Sequence, residues 1–207
     1  RSYAGDEEAV GSALAVADSL RYDAPAATDS IIRSLDADSL GSRANAAFSS
    51  VLANEVNLYG DQVAVADSLA DIAVDYYRLR RWFSERNRYL YARALIQKAD
   101  VSVDCKDYKK AIEIISDVQN EIKGKHYYDL IATSDLLLAR ISSLENEDHA
   151  QFIILLKSAV ENFRLAGLKY KQAEALNTLG AAYRTVNNDS ALIYLNKSKV
   201  LAEELHD

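Results

Sequence analysis

Residues 175–201 read ALNTLGAAYRTVNNDSALIYLNKSKVL, and this stretch decides the fold. It contains Leu176-x-x-Leu179-Gly180-x-x-Tyr183, followed by Ala191-x-x-x-Leu195. The large residues recur every three or four positions, which is the spacing of one face of an α-helix. Small residues at 180 and 191 let two such helices approach closely, while the large residues fill the space beside them. The stretch therefore predicts a hairpin of two packed helices.

The same pair of small residues recurs with a period of about forty residues. The first small position is occupied by Ala99, Ala139 and Gly180, and the second by Ala111, Ala150 and Ala191. Self-similarity at a fixed period of this size is the signature of stacked supersecondary units. The pattern predicts helical repeats through the second half of the chain.

These motifs resemble the tetratricopeptide repeat, whose two helices carry W-x-x-L-G-x-x-Y and A-x-x-x-F. Leu176 stands where the family has tryptophan, and Leu195 where it has phenylalanine. The resemblance implies an all-α fold, a right-handed α–α superhelix of about five antiparallel helical hairpins. It also implies divergent N-terminal hairpins over residues 1–80 and repeats over 81–207, in one continuous solenoid domain.

Helical periodicity extends along the whole chain, and no run alternates with the period of a β-strand. Glycines 60, 124 and 167 stand where a helix needs a left-handed residue to end, and Pro25 stands where a helix begins. The pattern predicts ten helices: 7–21, 25–36, 40–59, 62–79, 84–103, 107–123, 127–144, 147–166, 169–186 and 189–205.

Composition excludes several classes of protein. The 207 residues carry a net charge of −7, which argues against generic nucleic-acid binding because phosphate binding needs a basic surface. One cysteine permits neither an internal disulfide framework nor a zinc finger. Uninterrupted apolar runs, such as 152–156, are far shorter than a membrane span, so we expect no membrane insertion.

No arrangement of residues indicates catalysis. The seven glycines never cluster, so there is no phosphate-binding loop, and no G-x-S-x-G elbow is present. Cys105 sits in a predicted turn, and the three histidines are dispersed. We expect no enzyme, no cofactor and no metal site.

The repeat register predicts which residues face a ligand, because the first helix of each pair lines the concave side of such a stack. Counting from the small residues, the candidates are Arg93, Ile96, Asp100, Asp104, Thr133, Leu136, Arg140, Ser143, Asn177 and Arg184. A weaker set counted from Ala53 comprises Ala47, Ser50, Asn54, Asn57 and Leu58. Tetratricopeptide proteins that clamp a peptide carboxylate use lysine and asparagine here, so Ser50 and Asp100 predict that this chain does not.

A basic and aromatic cluster stands out against the acidic chain. Residues 1–75 carry a net charge of −9, residues 76–128 carry +5, and residues 129–207 carry −3. The densest part consists of Arg78, Arg80, Arg81, Trp82, Arg86 and Arg88. Arginine and tryptophan are favoured at interface hot spots, which predicts an acidic partner. The alternative is that Trp82 and Phe83 pack between repeats while the arginines are solvated or pair with the acidic N-terminal helices.

These observations favour a non-enzymatic module that binds a protein or peptide. A small-ligand sensor, for example of a sugar, and a structural or homo-oligomerising domain remain as alternatives. Together with Ala73-Val74-Asp75-Tyr76-Tyr77, the repeats are similar to those of exported, membrane-anchored bacterial regulators. That resemblance implies an extracytoplasmic, periplasmic location, with a cytoplasmic one as the alternative. We also expect an anchoring or secretion segment before Arg1 and further helix after Asp207.

Overall fold

The computed structural model describes residues 7–35, 40–146 and 148–205, and within them every regular element is helical. The ten α-helices are α1 Glu7–Leu20, α2 Pro25–Ser34, α3 Arg43–Glu55, α4 Val63–Arg80, α5 Glu85–Asp104, α6 Tyr108–Glu121, α7 Tyr128–Ile141, α8 His149–Leu165, α9 Lys169–Tyr183 and α10 Asn188–Glu203. A π-helical turn, Ser142–Asn146, follows α7. The prediction of ten helices without strands is confirmed for this part of the chain. The predicted helix boundaries at residues 36 and 147 lie outside it.

Polar side chains fix where several helices begin. The Ser42 hydroxyl accepts a hydrogen bond from the Asn45 amide at 3.2 Å, and Ser84 accepts one from the Asn87 amide at 3.1 Å. Asn187 caps α10 in the same way, through the Ser190 amide at 2.9 Å. Each cap satisfies an N–H that the helix itself leaves without an acceptor.

Two helices end at left-handed residues other than glycine. The prediction placed the end of α3 at Gly60, but the helix stops at Glu55 because Asn57 adopts the left-handed conformation, with φ 52°. The Leu58 amide then donates to the Ala53 carbonyl at 2.9 Å, which closes the helix end. Lys106, with φ 60°, ends α5 similarly. At Gly167 the glycine signal is confirmed, with φ 72° just beyond α8.

The chain divides into two compact units, Arg1–Ile114 and Ile115–Asp207, and the division falls within α6. The boundary predicted after residue 80 lies inside the first unit. There α4 and α5 are joined by a short turn and pack side by side, and Lys98 on α5 contacts Asp67 at 2.7 Å and Asp71 at 2.6 Å on α4.

The first unit has its core around α3, which packs against α1, α2, α4 and α5. The core side chains are apolar and fully or almost fully buried, among them Val10, Leu14, Phe48, Val51, Leu52, Ala73, Tyr77 and Leu90. Apolar burial of this kind is the main source of stability in a helical unit.

A network of four charged side chains, centred on the buried Arg93, joins α1, α3 and α5 inside this unit. Arg93 is only 2% exposed; its guanidinium binds both carboxylate oxygens of Glu55 and lies 2.8 Å from Asp18 Oδ1. Arg21 binds the same Asp18 oxygen at 3.0 Å. Burial alone lowers the pKa of the Arg93 guanidinium, but the carboxylates of Glu55 and Asp18 outweigh it and raise the pKa well above its ordinary value. Arg93 therefore stays charged, and its charge is balanced within the unit.

The second unit contains the hairpins α7–α8 and α9–α10, with α8 packed against α9. Helices α9 and α10 approach very closely at Gly180, where an added Cβ would lie 2.7 Å from Leu195 Cγ and 3.1 Å from the Leu195 nitrogen. The predicted close approach at residue 180 is confirmed. Ala191 is buried as expected, but Ala150 is exposed, because α8 begins only at His149 after the π-helical turn and buries Ile153 and Leu156 instead.

Asp135 is a buried carboxyl group between α7 and α8. The Ser158 hydroxyl donates a hydrogen bond to Asp135 Oδ2 at 2.6 Å. Burial raises the pKa of the Asp135 carboxyl above its ordinary value, and hydrogen bonds from Ser158 and Asn162 oppose that shift. Because the folded pKa lies above the unfolded one, this group stabilises the protein at low pH, and that contribution is lost as the pH rises through the folded pKa.

We expect Asp135→Asn to raise the free energy of unfolding at neutral pH by about 1 kcal/mol, since the amide can accept the Ser158 hydrogen bond without burying a charge. The gain should shrink as the pH falls from neutral into the acidic range, because the wild-type carboxyl then becomes protonated as well. Urea denaturation of both proteins across this range measures the difference. Asp117→Asn, at an exposed position of α6, is the matched control and should show no such trend. A pH-independent difference for Asp135→Asn would contradict the prediction.

Candidate functional site: a cleft and a corner of the first unit

A cleft of about 420 Å³ lies between α3, the start of α4, and α5. We call it the α3–α5 cleft; its lining includes Asn54, Glu55, Asn57, Leu58, Tyr59, Asp61, Val63, Gln97, Asp100 and Asp104. Asp100 and Asp104 were predicted from the main repeat register, and Asn54, Asn57 and Leu58 from the weaker one. Residues that the repeat register predicted on a ligand-facing surface, and that come from two separate helical segments, therefore line the same cleft.

Two amides hold the wall of this cleft in place. Asn54 Nδ2 donates to the Ala66 carbonyl at 2.9 Å and lies 3.4 Å from Gln97 Oε1. Gln97 Nε2 in turn donates to the Val51 carbonyl at 2.9 Å. The chain of hydrogen bonds links α3 to both α4 and α5, so the cleft is framed by helices held at fixed distances rather than by a loose loop.

The charged groups lining the cleft are all acidic. They are Glu55, Asp61, Asp100 and Asp104, with no lysine or arginine among the lining residues. Glu55 is engaged by Arg93, and Asp100 and Asp104 also interact with other residues of the chain. Asp61 is exposed at the rim. The lining offers carboxylate and amide oxygens as acceptors, which suits a ligand that brings N–H groups or positive charge.

Three of the predicted concave residues are used inside the fold. Arg93 is buried in the charge network, and Ile96 is buried in α5. Leu136 is half-buried and packs against both core clusters of the second unit. The expectation that Arg93 and Ile96 present their side chains to a ligand therefore does not fit their burial.

The other predicted concave residues belong to the second unit and are half-buried or exposed. Thr133, on α7, donates its hydroxyl hydrogen to the Asp129 carbonyl at 2.8 Å. The exposed members are Arg140, Ser143, Asn177 and Arg184. Thr133 is half-buried, so these four are the accessible members of the set.

The turn between α4 and α5 forms a second feature, the α4–α5 corner, which comprises residues 78–88. Its backbone is fixed by hydrogen bonds from the Phe83 amide and from Asn87 Nδ2, at 3.0 and 3.2 Å, to the Arg80 carbonyl. Leu79, Trp82 and Phe83 are nevertheless 67%, 65% and 82% exposed. The corner holds three large apolar side chains in water, which is unusual on a folded surface.

The arginines of the corner lie around its aromatic rings. The guanidinium of Arg81 is 4.6 Å from the Trp82 ring centre and 4.7 Å from that of Tyr91, and the guanidinium of Arg88 is 5.9 Å from Trp82. Arg80 lies 4.0 Å over Tyr76. These cation–π contacts fix where the charges sit. Trp82 and Phe83 are exposed, so the alternative that they pack between repeats does not describe this corner. Among the basic residues of this region, Arg93 pairs with Asp18 and Glu55 of the acidic N-terminal part.

Sequence reasoning missed the amide pair Asn54–Gln97 and the exposure of Leu79. Gln97 is a polar residue that follows the apolar run 94–96 of α5, and this was the available signal. Its partner is 43 residues earlier, and nothing local identifies it.

Other reactive side chains have structural contacts. His149 Nε2 lies 3.0 Å from the Ala182 carbonyl oxygen, the His126 ring stacks on Tyr128, and Cys105 is exposed at the end of α5. Across residues 7–35, 40–146 and 148–205, no three histidine, cysteine or acidic side chains are grouped as metal ligands. In the same described ranges, none of the helices combines the length and apolarity needed to cross a bilayer.

Comparison with protein-family models, with curated proteins and with solved structures finds no match to this chain.

Proposed function

We propose that this chain is a non-enzymatic helical module that binds an extended segment of a partner polypeptide in the α3–α5 cleft. One observation carries the proposal: residues chosen from repeat register alone, Asn54, Asn57 and Asp104 among them, line a cleft of about 420 Å³. Its walls are helices locked by the Asn54–Gln97 amides. Rigid walls bind with little loss of conformational entropy, which favours recognition of a flexible segment.

The lining indicates the chemistry of that segment. Carboxylates and amide oxygens accept hydrogen bonds from backbone N–H groups, lysine and arginine. Leu58, Tyr59 and Val63 add apolar surface for a neighbouring side chain. The preferred partner is therefore a polypeptide segment that carries a basic residue beside an apolar one.

The finer assignment is also a proposal. The tetratricopeptide-like arrangement is supported by the hairpins α7–α8 and α9–α10 and by the close approach at Gly180. The extracytoplasmic location and the role in a bacterial regulator rest on the resemblance of the repeats. Fractionation of cells that produce the full-length protein tests that location.

A small polar ligand is the second candidate for the same cleft. Its volume lies within the range of about 300–1,000 Å³ typical of small-molecule sites, and it combines an aromatic ring, Tyr59, with amides. A small ligand needs no polypeptide backbone in order to bind. Binding of small polar molecules in the absence of any peptide therefore distinguishes this candidate from the peptide-binding one.

Binding of labelled peptides of equal length but different net charge tests the proposal. We expect the basic peptides to bind and Asp61→Lys to weaken them roughly tenfold, because it reverses a charge at the rim of the cleft. Asp75→Lys makes the same change at an exposed position of α4 that does not line the cleft, and should leave binding nearly unchanged. Fluorescence anisotropy measures both affinities.

Either of two results would reject the peptide-binding proposal. One is that no peptide binds, whatever its charge; the other is that Asp61→Lys and Asp75→Lys weaken binding equally. Binding of a free amine or sugar, competed by no peptide, would favour the small-ligand candidate.

A further inference from the structure

The α4–α5 corner is a separate surface from the cleft and none of its residues lines it. Phe83, Leu79 and Trp82 are the three most exposed of the large apolar side chains in the described part of the chain. They come from the last turn of α4 and the turn that follows, so they lie together. Burial of these exposed apolar side chains against a partner is favourable because it removes apolar surface from water.

The net charge of the corner is opposite in sign to that of the rest of the chain taken together. Residues 78–88 contain five arginines and one glutamate, a net charge of +4. Because the whole chain carries −7, the remainder carries −11. An anionic surface therefore attracts this corner, although the chain as a whole is acidic.

The shape of the corner selects among anionic partners. Side chains that are about two-thirds exposed or more project outward and do not line a groove, so the partner has to accommodate the projection. The headgroup region of a bilayer does this without a preformed cavity. Tryptophan is enriched at that depth, because its ring is apolar and its N–H stays hydrated, and arginines beside it meet the lipid phosphates.

We propose that the α4–α5 corner docks on the surface of an anionic phospholipid bilayer, with Trp82 and Phe83 among the headgroups and the flanking arginines against lipid phosphates. The docking is peripheral and needs no spanning helix. Apolar burial and attraction to anionic lipid act together in such binding, so neither alone is sufficient. This inference goes beyond the proposed peptide binding and concerns different residues.

Trp82 is the only tryptophan of the chain, so its fluorescence reports the corner directly. We expect its emission to shift to shorter wavelength, and the protein to co-sediment, with vesicles of phosphatidylcholine containing phosphatidylglycerol. Vesicles of phosphatidylcholine alone should bind at least about tenfold more weakly, and added salt should weaken the binding to anionic vesicles. Lipids brominated near the headgroup should quench Trp82.

Two sets of variants test the two parts of the surface. Phe83→Ala, which keeps the fluorescent reporter, and the double variant Arg78→Glu with Arg86→Glu should each reduce partitioning about tenfold or more. All three positions are exposed, and unchanged circular dichroism checks that the variants fold. The controls are Leu192→Ala on α10 and the pair Lys109→Glu with Lys110→Glu on α6, which are also exposed and should have little effect.

The proposal is overturned if the wild-type protein does not bind anionic vesicles, or if the corner variants bind as well as the controls. A third result also overturns it: poly-glutamate shifts the Trp82 emission while vesicles do not, which would make the corner a site for an acidic polypeptide. Because the cleft variant Asp61→Lys leaves the corner intact, failure of either proposal is distinguishable from failure of the other.

Discussion

Replacing Arg93 with methionine should lower the free energy of unfolding by about 3–5 kcal/mol, the usual effect of removing one partner from a buried ion pair. The guanidinium is the shared partner of Glu55 and Asp18. Without it, the two partly buried carboxylates lose their shared counter-charge and keep Arg21, which lies 3.0 Å from Asp18 and 3.5 Å from Glu55. Chemical denaturation of the two proteins measures the loss, and circular dichroism of the folded states checks that the comparison is valid.

An exposed ion pair provides the matched control. Arg164 and Glu161 bond at 2.6 Å on the surface of α8, and both side chains are mostly exposed. Arg164→Met removes the same chemical group from a solvated pair, so the expected loss is small compared with that at Arg93. Similar losses at residues 93 and 164 would show that the network in the first unit does not depend on burial.

The double variant Arg93→Met with Glu55→Gln separates two explanations of such a loss. If the effect arises from carboxylates left without a counter-charge, neutralising Glu55 should restore part of the stability. If methionine simply packs badly, the second substitution should add to the damage. We expect partial restoration, because a neutral amide is less costly to bury than a carboxylate.

The helices of this chain could be predicted because their signals are local. Apolar spacing located all ten, and Gly167 marked the end of α8 because a left-handed residue is needed there. The end of α3 was misplaced by several residues for a related reason. Asn57 adopts the left-handed conformation that the prediction reserved for Gly60, and asparagine tolerates that conformation better than most residues.

The cleft was predicted in part. Register alone identified Asp100 and Asp104, because a repeat keeps the same helix face toward the same side. The repeat register does not account for the burial of Arg93. It assigns positions along a helix and does not show which acidic side chains of other helices lie next to a given arginine. Glu55 precedes Arg93 by 38 residues, and no local pattern links them. The π-helical turn after α7 similarly shifted the register at Ala150, which is exposed.

Gly180→Leu should destabilise the protein by about 3 kcal/mol or more, and Gly180→Ala by about 1–3 kcal/mol, because both place atoms where α10 already lies. A single added Cβ at residue 180 would be 2.7 Å from Leu195 Cγ and 2.8 Å from Leu195 Cδ2. It would also be 3.1 Å from the Leu195 nitrogen, so rotating the leucine side chain cannot relieve the whole overlap. Thermal and urea denaturation measure the loss.

Gly11→Ala is the control that isolates this contact, since Gly11 also lies within a helix. There an added Cβ would meet only Asn45 Oδ1, at an ordinary 3.5 Å, so alanine should stabilise α1 by about 0.5–1 kcal/mol through its better helix propensity. The opposite signs expected at residues 11 and 180 cannot come from propensity, which favours alanine at both.

Adding Leu195→Ala to Gly180→Ala should then cost less than Leu195→Ala costs alone, because the overlap and the packing loss involve the same side chain. Additive losses would mean that α9 and α10 do not meet at this point, and with that the repeat register drawn from residues 175–201 would fail.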